Sequence, residues 1–197
     1  MLQNKLIRSD SMSVNNQSIK RLVLVSILAA IAYVLMFIAF PILPFVSFLK
    51  LDFSDLPILL GLFTLGPVAA IEITVLKLFL YWLTNGFSMI QLIGLSSSLV
   101  VSLIFIGVFY LFRKDVQSKT LKQYIPVIVS ALILTVVMSI LNYFVFLPLY
   151  IKLLGFNLGQ SISKMVITGI APFNLIKGLV VGIVFVLIFN RLKVKDL

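Results

Sequence analysis

The chain has 197 residues, 61% hydrophobic and only 11% charged, with a mean hydropathy of +1.21. Soluble globular chains carry about one quarter charged residues, so this composition points to an integral membrane protein and away from a soluble enzyme. Cysteine and histidine are absent, which excludes disulfides, thiol nucleophiles, histidine metal sites and imidazole acid–base chemistry.

A bilayer core about 30 Å thick needs about 20 apolar residues per crossing helix. Residues 1–19 are read as a cytoplasmic tail. The first apolar run, Leu22 to Phe40, follows Lys20-Arg21 and stops at Pro41 and Pro44. It is too long for a signal-peptide core and no small-x-small cleavage site follows, so a retained helix is predicted. The stretch Leu56 to Leu83 contains Gly66-Pro67. Proline lacks a backbone donor and disfavours helix at the residue before it, so two shorter helices are expected, about 55–66 and 67–84, turning tightly on the cytoplasmic side. Asn85-Gly86 signals a turn. Then come Phe87 to Phe112, Tyr124 to about Phe146, and a last helix ending at Asn190. That helix starts near Ser163 with a kink at Pro172, or at Pro172 itself.

The expected fold is all-α and integral to the membrane. It is a single bundle of six transmembrane helices over 20–190, with both termini cytoplasmic and a basic tail at 191–197. Orientation follows from charge. Lys5, Arg8, Lys20, Arg21, Arg113, Lys114, Lys119, Lys122, Arg191, Lys193 and Lys195 fall on one side, against Lys50, Lys152 and Lys164 on the other. This bias marks the first side as cytoplasmic. The net charge of +10 is thus spread in clusters beside apolar runs, and no nucleic-acid partner is expected.

Polar groups inside the spans are costly and therefore informative. At 1.5 Å per residue, Lys177 lies roughly 20 Å in from Arg191, Asn174 roughly 25 Å, and Asn142 roughly 30 Å in from Lys122. Gln91 has a similar outer depth, and Trp82 and Asn85 sit at the outer end of the third helix. The inner halves of the later helices are almost purely aliphatic. A polar cluster confined to the outer half suggests a cup open to the outside rather than a pore or carrier path.

Asn174 and Lys177 share a helix face, and Asn142 could face them. A lone Asn or Gln in a membrane helix can also serve only to bond a neighbouring helix. Lys177 is too deep to snorkel and needs a partner, a ligand or water. Lys77 is expected to pair with Glu72 structurally. Phe40, Phe45, Phe48 and Phe53 crowd the first outer loop as a hydrophobic lid or an interfacial anchor. Ser26, Ala29, Ala30 and Ala32 form a small-residue patch, suited to packing inside the bundle or to a partner subunit.

No phosphate loop occurs, so the chain does not energise transport alone. No paired carboxylates, metal-ligand spacing or nucleophile elbow stands out, and neither a catalytic nor a metal site is expected. Asp52 and Asp55, at the start of the second helix, read as caps.

The run Lys50-Leu-Asp-Phe-Ser-Asp-Leu-Pro57, followed by Gly61 and Gly66-Pro67, resembles the substrate-binding S components of energy-coupling factor (ECF) transporters. Pro172-Phe-Asn-Leu-Ile-Lys-Gly178, with Asn142-Tyr143, is similar to their riboflavin-specific branch. The resemblance implies a non-enzymatic, high-affinity riboflavin-binding subunit of the bacterial plasma membrane. It would reorient in the bilayer, with a transmembrane coupling subunit and two ATPases as partners. Riboflavin would be the transported substrate, not a cofactor. Asn142, Asn174 and Lys177 would contact the vitamin. The family's small-residue docking pattern on the first helix appears here as Ser26-x-x-x-Ala30, with Ala29 and Ala32 beside it. The alternatives are an S component for another vitamin or small molecule, and an autonomous secondary carrier or small membrane enzyme.

Overall fold

The computed structural model describes the backbone of residues 2–192 except 47, 119, 156 and 158, and side chains from Ser18 onward except those at 45 and 154. Phe45 of the expected lid, and Lys5, Arg8, Lys119, Lys193 and Lys195 of the basic clusters, therefore lie outside the described side chains.

Among the described residues, five helical stretches are long and apolar enough to cross a membrane: Ser18–Phe37, Pro67–Asn85, Met89–Leu111, Leu121–Leu153 and Ile162–Arg191. The chain runs as α1 (Leu2–Phe37), α2 (Asp55–Leu65), α3 (Pro67–Asn85), α4 (Met89–Leu111), α5 (Arg113–Gln117), α6 (Ile125–Leu141), α7 (Leu147–Leu154), α8 (Ile162–Met165) and α9 (Ala171–Arg191). The helix expected at 55–66 is α2. Its 11 residues reach only about 16 Å, half a bilayer.

What precedes α2 explains its shortness. A two-stranded ribbon, Phe40–Pro41 against Lys50–Leu51, carries the chain back into the bundle. Leu51 and Ser54 are buried, and α2 starts beside Lys177, roughly 20 Å in from Arg191. From there α2 descends to Gly66. Non-helical backbone at membrane depth is tolerated only where protein or a cavity surrounds it. Gly66, at φ +92°, takes the turn that Pro67 cannot share with α2, and Pro67 opens α3.

Prolines also shape the two longest stretches. Pro148 and Pro172 cannot donate to the carbonyls four residues back. In each case the preceding turn widens to a π turn, Asn142–Phe146 and Val166–Ile170. Leu147 N–H bonds the Asn142 carbonyl, and Ala171 N–H bonds the Val166 carbonyl, five residues back. The helix predicted to stop near Phe146 therefore runs on through α7, and the last one starts at Ile162, near Ser163, with Pro172 inside it.

The outer surface is as apolar as the core, and the core also holds a few charged and hydroxyl groups. Val34, Val75, Val136 and Leu187 are more than half exposed, whereas Lys77, Asp55, Ser102 and Thr74 are buried. That is how a bundle looks when its solvent is hydrocarbon. The inner half is largely aliphatic, with one aromatic cluster set in it: Phe63 lies 4.9 Å from Phe189 and 5.4 Å from Phe185, and Phe109 lies 5.3 Å from Phe185. The backbones of α6 and α9 approach closely, because Gly178 sits against Ala131 and Gly182 against Val127.

At the end opposite the ribbon, Arg21 on α1 makes two bonds to Glu72 on α3, at 2.9 and 3.0 Å. Glu72 is thus taken, and the expected Lys77–Glu72 pair does not form. The two residues are five apart and point to different sides of α3.

Candidate binding cavity

A cavity of about 270 Å³ opens near the ribbon end of the bundle. Its polar wall includes Asp52, Gln91, Asn142, Asn174 and Lys177, and Phe48, Phe146, Phe173 and Leu95 supply apolar surface. The three residues singled out from the sequence, Asn142, Asn174 and Lys177, are brought together here from two adjacent helical stretches. Gln91 lines the same space. Asn85 does not: it is exposed and bonds the Tyr81 carbonyl at 3.0 Å. Trp82 faces a separate apolar groove between α3 and α4.

The π turns set the two asparagines. Asn142 opens the first one, and its amide nitrogen donates to the Met138 carbonyl at 2.7 Å. Asn174 follows the second, and its amide nitrogen donates to the Ile170 carbonyl at 2.8 Å. A carboxamide has two N–H donors and a carbonyl oxygen. One N–H is spent on the backbone, so each asparagine keeps one donor and one acceptor for the cavity, in a fixed rotamer.

Lys177 donates to Asp52 Oδ2 at 3.1 Å. An ammonium has three donors, so this bond orients the group while leaving others for a guest. Asp52 is therefore not simply a cap. Its Oδ1 accepts from both the backbone N–H and the hydroxyl of Ser54, and its Oδ2 holds the lysine. Asp55 is likewise more than a cap. It takes Lys77 at 3.1 Å and the Ser102 hydroxyl at 2.6 Å in the bundle interior. Lys77 also donates to Ser54 at 2.8 Å. Breaking such a buried pair by removing one partner costs about 3–5 kcal/mol.

Asp52 was hidden in the sequence because its partner lies 125 positions away. Ser97 and Ser98 also line the cavity and were not singled out. Their run with Ser96, inside an otherwise apolar span, was the available signal.

The expected partner-facing residues divide. Ser26 and Ala30 lie on the exposed face of α1, whereas Ala29 and Ala32 are in the core.

The cavity combines fixed amides, a held ammonium and aromatic rings, which suits a flat polar heterocycle with donors and acceptors on its edge. The family model for the substrate-specific component of ECF transporters matches residues 20–189. The riboflavin transporter RibU of Staphylococcus aureus (strain TCH60) is 42% identical over 180 residues, covering 90% of this chain and 93% of the relative. The riboflavin transporter FmnP of Bacillus subtilis (strain 168) is 35% identical over 178 residues, covering 89% and 93%. A solved structure of the S component of a bacterial ECF transporter superposes with a TM-score of 0.72 at 41% identity, covering 88% of this chain and 95% of its own. Fold, cavity and likeness agree, and the chain belongs to the substrate-specific components of ECF transporters.

Proposed function

We propose that this chain captures riboflavin from the extracellular side and delivers it inward with an ATP-driven energising module. The protein is a transport component, not an enzyme. The observation that carries the reading is the convergence of Asn142, Asn174 and Lys177 on one cavity at the ribbon end. In this reading the amides pair with the imide edge of the flavin ring, the ammonium donates to its oxygens, and Phe48, Phe146 and Phe173 flank its plane. Purified protein is expected to quench riboflavin fluorescence at sub-micromolar concentration. Unchanged emission on titration would discard riboflavin as the ligand.

The topology proposed for this role is a multi-pass protein of the bacterial cell membrane with six helices and both termini cytoplasmic. In it α2 is the half-length member and the ribbon faces outward. Arg21, Arg113 and Arg191 then lie on the cytoplasmic side, where basic residues concentrate.

For the partners, a transmembrane coupling subunit and two ATPases, the proposed surface is the exposed stripe through Ser26 and Ala30. Ala29 belongs to the same small-residue patch but faces the bundle. Its side chain is only 2% exposed, so it supports the helix from behind. Ala30→Trp should leave riboflavin titration unchanged and reduce ATP-driven uptake by about tenfold or more, because an indole blocks close helix approach. Full uptake by this variant in reconstituted vesicles would move the docking surface elsewhere.

A further inference from the structure

We propose that Lys77, which does not touch the cavity, is a positioning residue for the ligand site, acting through Ser54 and Asp52 on Lys177. The proposal rests on the riboflavin-binding reading for its affinity measurement only.

The geometry is a directed chain of bonds. Lys77 Nζ donates to Ser54 Oγ at 2.8 Å. The Ser54 hydroxyl then has its single proton to give, and gives it to Asp52 Oδ1. The backbone N–H of Ser54 donates to the same oxygen at 2.9 Å. With Oδ1 saturated, the carboxylate cannot rotate, and Oδ2 is presented to Lys177 at 3.1 Å. Lys77 therefore fixes the serine proton, the serine fixes the carboxylate, and the carboxylate aims the cavity ammonium.

Lys77 is fully buried, and its placement is independent of the cavity. It is anchored by Asp55 at 3.1 Å and reaches Ser102 at 3.3 Å, while Ser102 bonds Asp55. A lysine needed only for packing could be replaced by an apolar side chain at little cost, along with its acid. Here the same ammonium also reaches the segment that walls the ligand site. Hydrogen-bonded chains of this kind polarise one another in a low-dielectric interior, so a change at one end is felt at the other.

The test removes the middle link with both ion pairs kept, and separately removes the Lys77–Asp55 pair with the link kept. Full-length protein labelled with ¹⁵N-lysine is compared as wild type, Ser54→Ala, Ser54→Thr, and Lys77→Met/Asp55→Leu, in which the ammonium leaves together with its acid. The expected result is that Ser54→Ala shifts the Nζ resonance of Lys177, which Ser54 does not touch, and that Ser54→Thr restores it. Lys77→Met/Asp55→Leu should shift the same resonance, and by much less once Ser54 is alanine, because its effect passes through that hydroxyl. In riboflavin titrations Ser54→Ala should weaken binding by about tenfold, the loss of support for one charge-assisted bond. In a Lys177→Met background the same change should alter affinity by less than about twofold, since the group being aimed is gone.

A Lys177 resonance that does not move in Ser54→Ala, or that moves equally on Lys77→Met/Asp55→Leu with and without the Ser54 hydroxyl, overturns the proposal. So does an equal loss of affinity in both backgrounds, which is what a purely structural serine would give. Should Ser54→Ala not accumulate, Ser54→Cys, whose thiol is a weak donor, replaces it. If wild-type protein fails to quench riboflavin, the vitamin reading falls while the resonance comparison still decides the role of Lys77.

Discussion

Replacing Lys177 with methionine is expected to weaken riboflavin binding by about a hundredfold, close to 2.7 kcal/mol. The ammonium is the one charged donor among the three residues proposed to bind the vitamin, and hydrogen bonds to charged groups contribute about 1.5–3 kcal/mol each. Methionine keeps the unbranched apolar stem and its packing on α9 and lacks only the terminal ammonium, so the loss reports the charged donor. The protein should still fold, though less stably, because Asp52 is left without its ion-pair partner. Asp52 loses its partner at Oδ2 but keeps both bonds from Ser54, and Lys77 stands behind them. Thermal unfolding in detergent and fluorescence titration separate the two effects. Affinity within about twofold of wild type would mean that the vitamin sits away from Lys177.

The second large effect is expected at Gly178, next in sequence to that lysine. A Cβ there would lie 2.5 Å from the Ala131 Cα and 2.8 Å from its Cβ. Both obstacles belong to the backbone and first carbon of a facing helix, so no rotamer change relieves them. Overpacking of a tight interior costs about 1–3 kcal/mol where side chains can yield, and more where they cannot. Gly178→Val should therefore abolish recovery of folded protein, and Gly178→Ala should lower stability by about 3 kcal/mol. Gly182 provides the contrast. Its nearest obstacle is the Val127 Cγ1 at 2.7 Å, a methyl group that substitution can remove. Gly182→Ala should cost about 1 kcal/mol and be relieved by Val127→Ala. A Gly178→Ala protein that melts like wild type would show that α6 and α9 can part freely. Asn142, Asn174 and Lys177 would then lack a rigid frame.

How far the sequence could be read depended on how local the physics was. The break at Gly66-Pro67 was legible because proline chemistry acts on its immediate neighbours, and α2 and α3 end and begin there. The depth of Asn174 and Lys177 was legible because a helix converts residue number into distance. The end of the helix at Phe146 was misread, because a π turn ahead of Pro148 lets the chain stay helical. The role of the acids was missed for a different reason. Asp52 finds Lys177 across 125 positions, and Arg21 finds Glu72 across 51. No periodicity encodes such pairings. The re-entrant ribbon decides the first by carrying Asp52 down into the bundle, and the packing of α1 on α3 decides the second.

The same four interior charges bear on how the protein responds to voltage. A potential of 100 mV acts on each elementary charge that crosses the bilayer with about 2.3 kcal/mol. Lys77 and Lys177 are balanced by Asp55 and Asp52, so this group carries no net charge through the field if the bundle tips during transport. Riboflavin is itself neutral. Delivery of the vitamin should then proceed at the same rate when an ionophore collapses the potential at constant ATP, and a rate that tracks the voltage would show that the interior charges do not move as a balanced unit.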